Sequence, residues 1–163
     1  MIEFEIYTDG AASSNGYEGA QGGWAWILLR NKQIMWFKAG HVVNATNNIC
    51  ELMAVIDACD FLSRLVPEKT TIYSDSAYII NCYKQKWYKK WQTNGWVNSK
   101  KQPVANKELW ELLIPFFENE LFSFEKVTGH SNNKYNNLAD KMAVDAKQEN
   151  YEFSPERYAE WLT

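Results

Sequence analysis

Glu3-Phe4-Glu5-Ile6-Tyr7-Thr8-Asp9-Gly10 alternates polar and apolar residues as far as Thr8 and then stops at an Asp-Gly pair. A period of two marks a strand, and Asp-Gly is a turn former. The same kind of stop recurs after Thr70-Thr71-Ile72-Tyr73-Ser74, a β-branched run followed by Asp75. If these two strands lie side by side and run parallel, Asp9 and Asp75 meet at their C-terminal ends. Open α/β sheets place their ligands there.

Working outward, Trp24–Leu29 and Gln33–Lys38 read as a hairpin turning at Asn31-Lys32. Asn47 or Asn48 is expected to cap a helix with Leu52, Val55, Ile56, Cys59, Leu62 and Val66 on one face, closed by Pro67. Helical patterns follow over Ser76–Tyr83, Asn106–Phe117 and Asn136–Gln148, with a strand over Leu121–Val127. The Trp/Lys segment between Tyr83 and Asn106 is punctuated by Gly95 and Pro103 and is expected to include a loop. The order β-β-β-α-β-α-α-β-α predicts an α/β fold, a five-stranded mixed sheet with helices on both faces.

The length of 163 residues suits one domain, and 46% hydrophobic with 23% charged residues excludes a disordered chain. Residues 1–149 are expected to form a single domain, with 150–163 as a C-terminal tail holding a short helix. No apolar run is long enough to span a membrane, and the N-terminus lacks a secretory pattern. Cys50, Cys59 and Cys82 have neither CxxC spacing nor an even count, so a reducing, cytoplasmic location is expected.

The net charge of -3 hides an asymmetry. From Ser76 to Lys107 there is no acidic residue but seven lysines, leaving -10 for the rest of the chain. A lysine run is usually a solvated face. Here it is interleaved with Trp87, Trp91 and Trp96, and lysines with aromatic rings are the equipment for phosphates, sugars and bases.

Each candidate carboxylate has an ordinary explanation when taken alone. Asp9 fits a turn, Glu51 a capping box with Asn48, Asp75 a helix cap and Asp140 a solvated helix face. His130 follows a strand in a polar loop. Gathered at one sheet edge, the acids would repel one another unless cations neutralised them. All-oxygen ligands favour Mg²⁺ or Mn²⁺, and four carboxylates suit two ions about 3.5–4 Å apart, an arrangement for phosphoryl hydrolysis. With a basic arm on the same domain, the residues point to a metal-dependent nuclease.

Tyr7-Thr8-Asp9-Gly10, Thr46-Asn47-Asn48-x-x-Glu51-Leu52, Tyr73-Ser74-Asp75-Ser76 and Gly129-His130-x₉-Asp140 together resemble type 1 ribonuclease H. The segment from Trp91-x₄-Trp96 through Pro103-Val104-x-Asn106 to Leu109-Trp110, within a stretch of about 84–107, resembles the basic protrusion of its bacterial members. The resemblance implies the ribonuclease H-like fold and endonucleolytic cleavage of the RNA strand of RNA–DNA hybrids, leaving 3′-hydroxyl and 5′-phosphate ends. It implies Asp9, Glu51, Asp75 and Asp140 as ligands of two Mg²⁺ ions, with Mn²⁺ able to substitute. Asp9 would bridge the ions, Glu51 would also sense the ribose 2′-hydroxyl, and His130 would assist proton traffic or product release. Asn15 and Thr46 resemble a pocket for a phosphate of the DNA strand, and Asn47 would touch the minor groove. Lys86, Trp87, Lys89, Lys90, Trp91 and Trp96 would contact the hybrid. A monomer is expected.

The chain departs from the family pattern in a longer Gly-rich loop after Asp9, in Ala77 where a polar residue is usual, and in Gln92-Thr93-Asn94 where basic residues are common. A catalytically silent hybrid-binding module and another nuclease of the same general fold are the competing readings. The first could lose carboxylates; the second would not be expected to carry the Trp/Lys protrusion or the Gly-His loop.

Overall fold

The computed structural model describes residues 3–13, 19–65, 68–127 and 133–162. Five strands form one sheet: β1 (Phe4–Ala12), β2 (Gln21–Arg30), β3 (Gln33–Val43), β4 (Thr70–Ser74) and β5 (Phe122–Lys126). Their spatial order is β3-β2-β1-β4-β5. β1 runs antiparallel to β2, β2 to β3, while β1–β4 and β4–β5 are parallel. Tyr7 lies opposite Tyr73 in the β1–β4 ladder, so Asp9 and Asp75 leave the same edge side by side, as the sequence predicts.

The β2–β3 turn falls at Asn31 and Lys32, both left-handed with φ of 51° and 68°. Two successive left-handed residues give a turn whose twist matches that of the strands. The strands run longer than their sequence patterns, because pairing continues through Gly22, Gly23 and Gly40, which carry no hydrophobic signal.

The helices are α1 (Asn47–Ser63), α2 (Ala77–Gln85), α3 (Trp87–Asn94), α4 (Lys107–Phe117) and α5 (Lys134–Ala146). α1 is capped by Thr46, whose Oγ1 accepts from Ile49 N at 3.1 Å, rather than by Asn47 or Asn48. It ends at Ser63, ahead of the expected stop; Val66 and Pro67 lie outside the described residues. The Trp/Lys segment includes the expected loop, between Gly95 and Asn106, and before it a helix, α3, that the sequence pattern does not mark. A left-handed Lys86 (φ 57°) separates it from α2, and a left-handed Gly95 (φ 80°) ends it. α5 begins two residues earlier than expected, where Asn133 Oδ1 accepts from Tyr135 N and Asn136 N.

Alternation along the strands builds two cores. Phe4, Ile6, Trp24, Trp26, Leu28 and Ile72 pack with α1 through α4 on one face. Tyr7, Ala25, Ile27, Leu29, Phe37 and Ala39 pack with Leu138, Ala139, Met142 and Ala143 of α5 on the other. The C-terminal segment forms a 3-10 helix over Pro155–Leu162, kinked at Tyr158. Tyr158 is fully buried in the α5-side core, and its hydroxyl lies 3.0 Å from that of Tyr151 and 3.2 Å from Asp145 Oδ2. The three cysteines are buried and free. Among the described residues, no helix is long and apolar enough to cross a membrane.

Candidate active site and nucleic-acid surface

Asp9 and Asp75 stand at adjacent strand ends, and Glu51 reaches them from the first turn-and-a-half of α1. That reach depends on Gly10. A Cβ there would lie 2.4 Å from the Cys50 carbonyl carbon and 2.5 Å from Glu51 N, so only glycine lets β1 approach the α1 backbone this closely. Gly10 N–H then donates both to Asp9 Oδ1 at 2.8 Å and to Glu51 Oε1 at 2.9 Å.

The other Glu51 oxygen, Oε2, lies 3.4 Å from the Ser74 hydroxyl. Ser74 is fully buried and also accepts from Ser76 N at 3.1 Å. Ser76, not Asp75, caps α2 by accepting from Ile79 N. Both capping explanations therefore give way. Thr46 and Ser76 do that work, and the Glu51 and Asp75 carboxylates turn toward Asp9.

Asp9, Glu51 and Asp75 each offer an oxygen within 4.8 Å of the others. Burial pushes the Asp9 carboxyl from its ordinary 3.8 up to about 7. Hydrogen bonds from Glu51 and Gly10 oppose this rise, while the Asp75 charge and a hydrogen-bonding Asp140 add to it. Burial, followed by the Asp9 charge, also holds Glu51 well above the ordinary carboxylate range. Such a cluster carries excess negative charge in a poorly solvated place. A hard divalent cation relieves it, and the all-oxygen donor set fits one. Asp140 is exposed on α5 at the rim of the cluster. His130 and Asn15 lie outside the described residues.

Thr46 and Asn47 sit at the start of α1, next to this edge. Asn47 is exposed, and its Oδ1 accepts from Ala12 N at 3.0 Å, tying the helix start to the end of β1.

The basic arm divides into two surfaces. A groove of about 620 Å³ is lined by Tyr78, Trp87, Lys90, Asn94, Asn98 and Lys100, among others. Lys86 and Lys89 instead border a second depression shared with Glu118 and Glu120. Trp87 and Trp96 are half-buried; Trp96 carries Lys107 Nζ 5.6 Å from its ring centre. Trp91 is only 6% exposed and packs against Trp110, with ring centroids 5.5 Å apart. Its place is in the core, at the floor of the arm, rather than on an open stacking surface. Gly10 and Ser74, which hold Glu51, and Lys100, which lines the groove, were not among the candidate site residues read from the sequence. Lys100 had a signal in the acid-free lysine span; buried Ser74 had none beyond its position before Asp75.

The family model described as RNase H matches residues 2–148. A ribonuclease H from Thermoanaerobacter sp. (strain X514) is 44% identical over 154 residues, covering 93% of this chain and 94% of its own. A ribonuclease H from Clostridium botulinum (strain Hall) is 43% identical over 149 residues, covering 91% and 98%. Among solved structures, LC9-RNase H1, a type 1 RNase H with the type 2 active-site motif, is similar at a TM-score of 0.75 and 23% identity, covering 98% of this chain and 80% of that one. A foamy viral protease-reverse transcriptase in complex with RNA/DNA hybrid is similar at a TM-score of 0.76 and 21% identity, covering 88% of this chain and 20% of that one. At these identities the solved structures speak for the fold.

Proposed function

The chain belongs to the ribonuclease H family and is a nuclease, and we propose that it hydrolyses the RNA strand of RNA–DNA hybrids endonucleolytically, leaving 3′-hydroxyl and 5′-phosphate ends. The observation that carries this reading is the cluster of Asp9, Glu51 and Asp75 within 4.8 Å at the C-terminal edge of the sheet. Asp9, Glu51, Asp75 and Asp140 would hold two Mg²⁺ ions, or Mn²⁺ in their place. Bound there, the ions supply an activated water and neutralise charge developing on the phosphoryl group.

The protein's own groups provide the selection. Glu51, held by Gly10 N–H on one oxygen, would accept the ribose 2′-hydroxyl, the group that separates RNA from DNA. Thr46 caps α1 through its oxygen lone pair, which leaves the hydroxyl proton to donate to a phosphate of the DNA strand. Asn15 would complete that pocket, Asn47 would lie along the minor groove, and His130 would serve proton transfer or product release. Lys86, Trp87, Lys89, Lys90 and Trp96 would hold the hybrid backbone, with Trp91 supporting them from beneath. A monomer in the cytoplasm accounts for this activity. A silent binding module would need only the arm; it has no use for buried carboxylates that repel one another.

Incubation with end-labelled RNA–DNA hybrid, duplex RNA and duplex DNA, each with Mg²⁺ and with EDTA, tests the proposal. Cleavage of the hybrid's RNA strand in Mg²⁺ alone is expected, with 5′-phosphate on the downstream product. Cutting of duplex DNA, or of hybrid in EDTA, would overturn it. Converting Lys86, Lys89 and Lys90 together to Ala should raise KM and leave kcat at saturating substrate nearly unchanged. Each lost phosphate contact should flatten the slope of log affinity against log salt by about 0.7–0.9. Lys90→Ala should account for more of the change than Lys86→Ala or Lys89→Ala, because Lys90 alone of the three lines the groove with Trp87. Unchanged KM and salt slope in the triple variant would mean these lysines are only a solvated face.

A further inference from the structure

Three tyrosines stand in a row below the carboxylates, one on each of three acid-bearing elements. Tyr7 precedes Asp9 by two residues on β1, and Tyr73 precedes Asp75 by two at the end of β4. Tyr135 precedes Asp140 by five residues on α5. The Tyr7 and Tyr73 rings stack with centroids 4.8 Å apart and planes 15° from parallel. Tyr135 packs on Tyr7 with centroids 5.7 Å apart.

The hydroxyls extend these contacts. Tyr7 is 8% exposed, and its hydroxyl oxygen accepts from Asn133 Nδ2 at 3.1 Å. Through Oδ1 the same asparagine caps α5, accepting from Tyr135 N at 2.9 Å and Asn136 N at 3.0 Å. Tyr135 O–H donates to the Lys32 carbonyl at 3.2 Å, and Tyr73 O–H lies 3.4 Å from Glu5 Oε2. Lys32 Nζ closes the frame on Glu5 Oε1 at 2.7 Å. Glu51 stands outside this frame; it comes from the opposite face on α1 and is held by Gly10 and Ser74.

We infer that the tyrosine row is a positioning platform for the metal-binding acids. The Tyr7–Tyr73 stack sets the spacing of Asp9 and Asp75, and the Tyr7–Asn133 hydrogen bond registers the first turn of α5 and with it Asp140. This rests on the reading of those carboxylates as divalent-cation ligands. Stacked rings resist the sliding of β1 along β4 that would part Asp9 from Asp75. The apolar contacts of Leu138, Ala139 and Met142 hold α5 to the sheet without fixing its rotation, because apolar packing is not directional. Directional hydrogen bonds at its first turn, Asn133 Nδ2 to the Tyr7 hydroxyl and Tyr135 O–H to the Lys32 carbonyl, fix that rotation. Groups that orient metal ligands from outside the coordination sphere alter metal affinity even though they touch no ion.

The test is a double-mutant cycle in the full chain: Tyr7→Phe, Asn133→Ser and the pair. Phenylalanine keeps the ring stack and loses only the hydroxyl. Serine remains a good helix cap and loses the Nδ2 donor. The primary readout is the rise in melting temperature across a Mg²⁺ titration without nucleic acid; the second is kcat on hybrid across the same series. Each single variant should move the Mg²⁺ midpoint upward by about 10-fold or more. The pair should go no further than either single, since both remove one hydrogen bond. KM for hybrid should stay constant. A merely structural contact would lower the melting temperature in EDTA and leave the Mg²⁺ midpoint in place; that result, or additive effects in the pair, overturns the inference. A wild-type chain that shows the Mg²⁺ response but cuts no hybrid would instead overturn the proposed activity, and the cycle on Mg²⁺ binding would still decide the platform.

Discussion

Asp9→Asn should abolish cleavage and make the cation-free protein more stable at alkaline pH. The first half follows from position. The carboxylate proposed to bridge the ions lies within 4.8 Å of ligand oxygens of Glu51 and Asp75, and losing its charge would weaken the hold on both. Turnover should fall by more than about 10⁴-fold, beyond the range of about 10²–10⁴-fold that a proton-transferring group supplies. The second half follows from linkage. In the fold the Asp9 carboxyl is raised from 3.8 to about 7, chiefly by burial. A group raised in this way binds its proton more tightly folded than unfolded. Its contribution to stability is therefore complete below pH 3.8 and is lost as pH rises through about 7. The ceiling on that loss is about 4 kcal/mol, reduced in practice because Asp9 and Glu51 influence each other's titration. Asn removes the Asp9 share of the titration and leaves that of Glu51, which burial still raises. The variant's melting temperature in EDTA should therefore fall less steeply between pH 5 and 8, a window of about three units, than that of the wild type. Mg²⁺ should recover the wild type at pH 8 and leave the variant unmoved. Turnover like that of the wild type, or parallel pH profiles in EDTA, would remove Asp9 from the centre of the cluster.

The parts of this architecture legible in the sequence are those whose signal is local and periodic. β1 and β4 announced themselves by alternation and β-branching, and a shared stop at an aspartate raised the parallel pairing that the ladder has. The Asn31-Lys32 turn was legible because few residue pairs tolerate two left-handed conformations in a tight hairpin. Helix caps were less legible. Thr46-Asn47-Asn48 and Asp75-Ser76 each offer several side chains able to cap, and a local rule does not choose among them. The choice is tertiary: the β1–β4 pairing sets Asp75 beside Asp9, which leaves Ser76 to cap α2.

α3 was hidden for a different reason. Its start depends on a left-handed lysine, Lys86, where no glycine marks the break. Its two buried anchors, Tyr88 and Trp91, lie in a run of lysines that reads as an exposed arm. The same ambiguity attaches to every tryptophan of the arm, since the residue type that stacks on a base also fills a core. The spacing of Trp91 from Trp87 does not separate these uses; contact with Trp110, a residue far along the chain, does. The tyrosine platform was invisible because its logic is three-dimensional. Tyr7 and Tyr73 appear in sequence only as apolar positions of two strands, and nothing local says that they stack or that Asn133 meets the first of them.

Gly10→Ala should disable the site by moving its backbone rather than by removing any functional group. The glycine lies within β1 and has no left-handed φ, so the cost is not conformational strain. It is contact. The added methyl would sit 2.4 Å from Cys50 C, 2.5 Å from Glu51 N and 2.7 Å from Cys50 O. All three are backbone atoms of α1, so no side-chain rotation relieves the clash. Ordinary contact requires β1 and α1 to part by about 1 Å, and overpacking of this kind costs about 1–3 kcal/mol. For a chain of this size each kcal/mol is worth about 2–4 °C of melting temperature, so a fall of about 2–12 °C is expected. The same displacement separates Asp9 from Glu51 and pulls Gly10 N–H away from the two oxygens it holds at 2.8 and 2.9 Å. A misplacement of about 1 Å in a catalytic constellation costs about 10²-fold in rate. Loss of kcat should therefore exceed what partial unfolding explains, and it should persist at temperatures where circular dichroism shows the variant fully folded. The salt slope of hybrid binding, carried by the lysines of the arm, should remain near the wild-type value under those conditions. A folded Gly10→Ala protein with wild-type kcat would show that β1 and α1 need not be this close, and that the Asp9–Glu51 pair is assembled by some other contact.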